Sequence, residues 1–235
     1  MLKTLLIDGA AAMGIDMTAG QAKQFERYHA MLTQANGRMN LTRVPDDPRE
    51  AADRNYLDCI APLADFGDCS SAADIGSGAG FPGIPMAIMR PQTHFVLIDA
   101  LGKRVDFLRE VIAELGLNAE ALHLRAEDAA RRDALRERFD LVTARAVAPM
   151  NVLCEYLLPF ARVGGSVLAL KGPGVEDELS QAENALELLG GEVERVIPLA
   201  IPGRDWEHRA VWIKKRVPTP DRYPRRAGQA EKRPL

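Results

Sequence analysis

The chain has 235 residues, 47% of them hydrophobic, and a formal net charge of −3. That length suits one large domain, or a domain with an appendage, and the apolar content supports a sizeable core. The slightly acidic balance does not by itself favour nucleic acid, and three scattered cysteines (Cys59, Cys69 and Cys154, without a C-x-x-C pair) argue against a disulfide framework or zinc site and for a reducing cytoplasm.

The apolar run from Leu2 to Ile7 is too short for a secretory leader, and no stretch approaches a membrane span. Thr18-Ala19-Gly20-Gln21 fits a capping box, with Ala22, Phe25, Tyr28 and Leu32 following at helical spacing until Asn36-Gly37. A second helix is expected from Pro48 to about Phe66. Residues 1–68 thus form a helical extension, placed to cover a ligand or help hold a substrate.

From Ser71 the pattern changes to alternating strands and helices. The first strand ends at Ile75 and runs into Gly76-Ser77-Gly78-Ala79-Gly80-Phe81-Pro82. These glycines tolerate positive φ and close backbone approach, and the turn is expected to present main-chain N–H groups at a helix start. The dinucleotide fingerprint G-x-G-x-x-G would need its third glycine at 81, where Phe81 stands. Asp74, two residues before Gly76, would repel a pyrophosphate but not the sulfonium and amino groups of S-adenosylmethionine (SAM). Asp99 ends the next strand, His94–Asp99, where an acid suits two ribose hydroxyls. Asp74, Gly76, Gly78, Gly80 and Asp99 therefore point to a SAM site, against the bland reading of a structural turn.

A strong helix follows over Gly102–Leu115, closed by Gly116. Further strands are expected near Ala121–Leu124, Phe139–Arg145, Ser166–Lys171, Val193–Leu199 and Arg209–Ile213. The intervening helices fall at Glu127–Leu135, Met150–Phe160 and Val175–Leu189. This alternation implies a Rossmann-like α/β fold, a mostly parallel seven-stranded sheet with a closing hairpin that adds an antiparallel edge. Such a sheet takes its ligand at the carboxyl ends of the strands, which hold Gly76–Phe81, Asp99, Ala126-Glu127, Arg145 and Lys171. Glu127 could face an adenine or only cap a helix. Arg145 could meet a substrate or cofactor, or pair with Glu127 or Asp99.

From Lys214 onward eight basic residues face only Asp221 and Glu231, so this segment carries +6 and the rest of the chain −9. A basic tail on an acidic body suits steering toward a polyanion, although a solvated terminus explains it as well. The expected organisation is a helical extension (1–68), an α/β methyltransferase domain (69–214) and a basic tail (215–235).

Asn40-Leu41-Thr42, Asp74–Pro85, Asp99–Leu108, Ala126-Glu127, Ala144-Arg145-Ala146, Leu170-Lys171-Gly172 and the ending Tyr223-Pro224-Arg225-Arg226 together resemble the ribosomal RNA small-subunit methyltransferase G family, also called glucose-inhibited division protein B. Asn55 and Cys59 depart from that pattern, where members often carry His and Ser. The resemblance implies a SAM-dependent enzyme that methylates guanine N7 in a loop of 16S rRNA. It implies cofactor contacts at Gly76, Phe81, Ala126, Glu127 and Arg145; Gly78 and Asp99 join them from the residues alone. Lys103, Arg104, Arg145, Lys171 and the tail are candidates for RNA phosphates. The partner is the small ribosomal subunit, the chain is expected to be a cytoplasmic monomer, and no catalytic residue or metal site stands out. The rival readings are a small-molecule methyltransferase, a nicotinamide oxidoreductase (disfavoured by Phe81) and a binding module without turnover.

Overall fold

A computed structural model describes residues 1–39 and 41–235, so Asn40 of the Asn40-Leu41-Thr42 motif lies outside the described residues. The chain opens with a helix not anticipated from its short apolar run, α1 (Leu2–Ala12), which buries Leu2, Leu6 and Ala10. The capping box before α2 (Ala19–Met39) is formed: the Thr18 N–H donates to Gln21 Oε1 at 2.9 Å and the Gln21 N–H to Thr18 Oγ1 at 3.2 Å. The helix runs through Asn36-Gly37 instead of stopping there. A glycine inside a helix costs only about 1 kcal/mol, and Asn36 is used to receive the Thr42 N–H at 3.0 Å.

The expected Pro48–Phe66 helix is one continuous stretch of changing pitch. It comprises α3 (Pro48–Ala51), a π turn (Ala52–Leu57), α4 (Asp58–Ile60) and a 3-10 segment (Ala61–Asp65), with Asp47 capping its start through the Arg49 N–H. A π segment within a helix is uncommon and re-aims the side chains it carries; here those include Asn55 and Tyr56.

The strands are β1 (Ser71–Ile75), β2 (His94–Asp99), β3 (Ala119–His123), β4 (Phe139–Arg145), β5 (Ala161–Lys171), β6 (Gly191–Pro198) and β7 (Arg209–Lys215). They form one sheet in the order β3-β2-β1-β4-β5-β7-β6. β1 to β5 pair in parallel, and β7 is antiparallel to both β5 and β6. The closing hairpin therefore inserts its second strand into the sheet and leaves β6, not β7, at the edge. The central strands are buried on both faces, which explains their unbroken apolar runs. One face packs against Phe25, Tyr28, Ile84 and Leu108, the other against Leu157, Phe160 and Leu189.

The helices on the two faces are α5 (Gly83–Met89), α6 (Gly102–Leu115), α7 (Ala126–Ala129), α8 (Met150–Leu157), α9 (Val175–Gln181) and α10 (Glu183–Leu189). Gly116 closes α6 at φ +61° as expected. The helix expected over Glu127–Leu135 stops at Ala129, because Arg131–Asp133 carry no apolar stripe to bury. The Val175–Leu189 helix breaks at Ala182. α2 reaches across to this layer: Gln21 Nε2 donates to the Ile88 carbonyl (3.1 Å) and Gln24 Nε2 to Leu115 (2.9 Å).

The basic tail is neither free nor fully solvated. Lys215 is buried, its ammonium donating to the carbonyls of Leu158 and Leu189 and to the Thr219 hydroxyl. Burial pushes that ammonium down to about 8. Arg225 grips the buried Glu155 carboxylate through its Nε at 3.0 Å, its Nη2 at 2.6 Å and its backbone N–H at 2.6 Å. Arg136 donates to the Thr219 and Tyr223 carbonyls, and a last short helix, α11 (Gln229–Lys232), lies against α8. Two of the tail's charges thus hold the fold together.

Candidate functional site

The glycine turn after β1 is held from below. The Gly76 and Ser77 N–H groups both donate to the Ile98 carbonyl, the Gly80 and Phe81 N–H groups to the Ser77 carbonyl, and the Gly83 N–H to the Asp74 carboxylate at 3.1 Å. The expectation that this turn bares its N–H groups to a ligand is therefore corrected: it spends them on its own closure. Gly76 stands at φ +71°, and a Cβ there would meet Val147 at 2.8 Å. At Gly80 (φ +107°) a Cβ would strike Ile84 at 2.6 Å and the Tyr28 hydroxyl at 2.8 Å. So the first glycine lets Val147 close over the turn, and the third lets the N-terminal extension dock beneath it. Tyr28 fixes that docking with a 2.6 Å hydrogen bond to the Ala79 carbonyl.

Asp74 is fully buried under the turn, and its Oδ1 has no partner. Burial pushes its carboxyl up to about 7. Asp99 sits at the end of β2, Oδ2 accepting the Gly78 N–H and Oδ1 the Leu101 N–H, both at 2.8 Å. Each oxygen keeps a further lone pair.

Two cavities open at the carboxyl ends of the strands. The first, about 170 Å³, is lined by Ile75, Gly76, Ile98, Asp99, Ala126 and Glu127, with Val147 and Tyr156 along one side. Gly228 and Glu231 of the tail close it. Glu127 is 6% exposed, and its Oε1 accepts the Gly228 N–H at 3.0 Å. Its carboxylate thus fastens the tail to the cavity.

The second cavity, about 430 Å³, lies across the Ala146-Val147 step and is lined by Arg54, Asn55, Asp58, Arg145, Lys171 and His208, among others. Ala146 holds φ +55°, an uncommon conformation for a residue with a Cβ and one that tends to mark functional sites. Arg145 pairs with neither Glu127 nor Asp99. Its guanidinium lies 4.7 Å from the centre of the Phe81 ring, 3.5 Å from Asp58 and 2.9 Å from the Arg54 carbonyl. Desolvation works against the charge, but Cys59 and Asp58 outweigh it and hold Arg145 above its ordinary value. Asp58 in turn accepts His208 Nδ1 at 2.8 Å. Phe81 itself packs against Tyr28 and Tyr56 and stands outside both linings.

The nominated residues therefore separate. Gly76, Asp99, Ala126 and Glu127 meet at the first cavity; Arg145 and Lys171 face the second; Gly78 and Phe81 support them from behind. The phosphate candidates divide as well. Lys103 is exposed, Arg104 lies 3.6 Å from Asp99, and Lys171 is tied to Glu178 at 2.5 Å and to the Ala148 carbonyl. Asp58, His208, Val147 and Gly228 were missed. Each is single and without a motif, and comes into place only through distant packing. His208 belongs to the β6–β7 loop, where Trp206 lies against the guanidinium groups of Arg54 (4.6 Å) and Arg204 (5.2 Å).

Comparison with known proteins agrees with this arrangement. A family profile, GidB, described as rRNA small subunit methyltransferase G, matches residues 21–205. The chain is similar to the "Ribosomal RNA small subunit methyltransferase G" of Lactobacillus johnsonii, 44% identical over 230 residues and 96% of either chain. It is similar to that of Pelotomaculum thermopropionicum at 43%, covering 100% of this chain and 99% of the relative. A SAM-dependent methyltransferase structure from Aquifex aeolicus shares the fold at TM-score 0.52 and 21% identity, over 72% of this chain and 93% of that one. The chain belongs to the rRNA small subunit methyltransferase G family and is built on the Rossmann-like fold of SAM-dependent methyltransferases.

Proposed function

We propose that this protein transfers a methyl group from SAM to guanine N7 in a loop of 16S rRNA, acting as a cytoplasmic monomer on the small ribosomal subunit. The observation that carries the reading is the pair of cavities on one sheet edge, one acidic and narrow, the other wide and ringed by Arg54, Arg145 and Lys171. The first fits an adenosine: Ile75, Ile98 and Leu124 offer apolar walls for a flat ring, and Asp99 and Glu127 offer carboxylate acceptors for hydroxyl and amino groups. The second fits a base with its flanking phosphates, which calls for cations around a polar hollow.

SAM brings a methyl group already activated on a sulfonium. Guanine N7 carries a lone pair and no proton, so the chain has no general base to supply. What remains is placement, which lowers a barrier by roughly 7–11 kcal/mol when two reactants are held in line. Arg145, clamped by Phe81, Asp58 and the Arg54 carbonyl, gives the wall between the cavities a rigid edge. Asp58 and Glu178 lie where the methylated base becomes positively charged.

The test uses small subunits from cells lacking the enzyme, incubated with the protein and methyl-labelled SAM, with the rRNA then digested to nucleosides. Label in N7-methylguanosine is the expected result. Label in another nucleoside discards the guanine-N7 assignment, and no label despite SAM binding discards rRNA as the substrate.

A further inference from the structure

Asn55 lines the second cavity from the π turn between α3 and α4. It is 3% exposed, and its side-chain nitrogen has no hydrogen-bond partner. Its backbone carbonyl is engaged, accepting the Cys59 thiol at 3.2 Å, so the unmet bond belongs to the side chain. The polar groups around it are committed: Asp58 to His208 and Arg145, Lys171 to Glu178. Leaving a buried amide donor unpaired costs about 1–3 kcal/mol. A ligand acceptor that entered the cavity would recover that cost.

We propose that Asn55 is a specificity-determining residue, its side-chain nitrogen donating to O6 of the target guanine. The inference rests on the guanine-N7 reading above. On guanine, O6 and N7 share one edge. A base that turns N7 toward the methyl donor must present O6 to the same wall of the cavity. The one oxygen beside the reacting atom then meets a donor already desolvated, and a buried donor left without its acceptor rejects the wrong base strongly.

The experiment compares wild type, Asn55→Ala and Asn55→Asp on small subunits reconstituted with rRNA carrying guanine, inosine or 2-aminopurine at the target. Inosine keeps O6, and 2-aminopurine lacks it. Wild type should prefer guanine and inosine over 2-aminopurine. Asn55→Ala should narrow that preference by about ten- to a hundredfold, through losses on guanine and inosine alone. Asn55→Asp keeps the shape but sets oxygen against O6, and should lose at least as much on guanine. SAM binding by calorimetry identifies a variant that has merely unfolded. A preference unchanged in both variants overturns the role of Asn55. A wild-type enzyme that places no label on guanine N7 overturns the functional reading beneath it.

Discussion

The two cavities lie on either side of one peptide step, Ala146-Val147, yet they are assembled differently. The first is made almost entirely by strand ends and the turns after them, and the C-terminal tail closes it. The second borrows Arg54, Asn55 and Asp58 from the N-terminal extension and His208 from the β6–β7 loop, while the sheet supplies Arg145 and Lys171. A site built by the sheet's own topology recurs wherever that topology does. A site built from an appendage and a loop is where one chain can differ from its relatives in what it accepts.

Four changes probe that difference. The largest effect is expected at Arg225, whose loss strands the buried Glu155 carboxylate. Breaking such a pair costs about 3–5 kcal/mol, and in a chain this size it should lower the thermal midpoint by roughly 6–15 °C. SAM binding should weaken with it, because the tail walls the first cavity; calorimetry on Arg225→Ala checks both.

The next effect concerns pH. The Asp74 carboxyl is raised to about 7 by burial, so the folded state holds its proton across a range in which the unfolded chain has released it. Stability on this account is full below about pH 4 and falls as pH climbs through 7. Asp74→Asn should flatten that limb and raise stability at pH 8 by about 2–4 kcal/mol. Urea unfolding at pH 5 and pH 8 measures it, and an equal pH dependence in both proteins would contradict the burial argument.

Glu127→Gln keeps an acceptor for the Gly228 N–H and removes a charge. It should raise the dissociation constant for SAM about five- to tenfold and leave the salt dependence of RNA binding alone. A change in RNA binding instead would break the division of labour between the cavities. The smallest effect is at the exposed Lys103. Lys103→Ala should alter stability by less than about 0.5 kcal/mol and reduce the slope of log affinity for RNA against log salt by about one.

Much of this architecture was legible in the residues. The apolar runs at Phe95–Ile98 and Leu141–Ala144 mark strands buried on both faces, and Gly116 and Thr18 mark helix ends through local chemistry. What stayed hidden depends on partners far along the chain. Arg145 was expected to meet an acid at a neighbouring strand end and meets Asp58, 87 residues away. The tail's charges read as free because nothing local reveals that Glu155 and Glu127 await Arg225 and Gly228. The glycine turn was found for the right residues with the wrong use of its N–H groups. Sequence shows that a turn can adopt positive φ, and tertiary packing decides which acceptors close it.

The hydrogen bond from Gly228 to Glu127 makes the tail and the first cavity a single equilibrium. Whatever fills the cavity must favour the docked tail, and a docked tail must favour whatever fills the cavity, by the same factor. A ligand at a hundred times its dissociation constant contributes about 2.7 kcal/mol to that docking. Trypsin offers a simple gauge of it: the exposed Arg226 should be cut in the free protein and shielded when the cavity is full, so that the rate of a peptide-bond cleavage reports occupancy of a site it never touches.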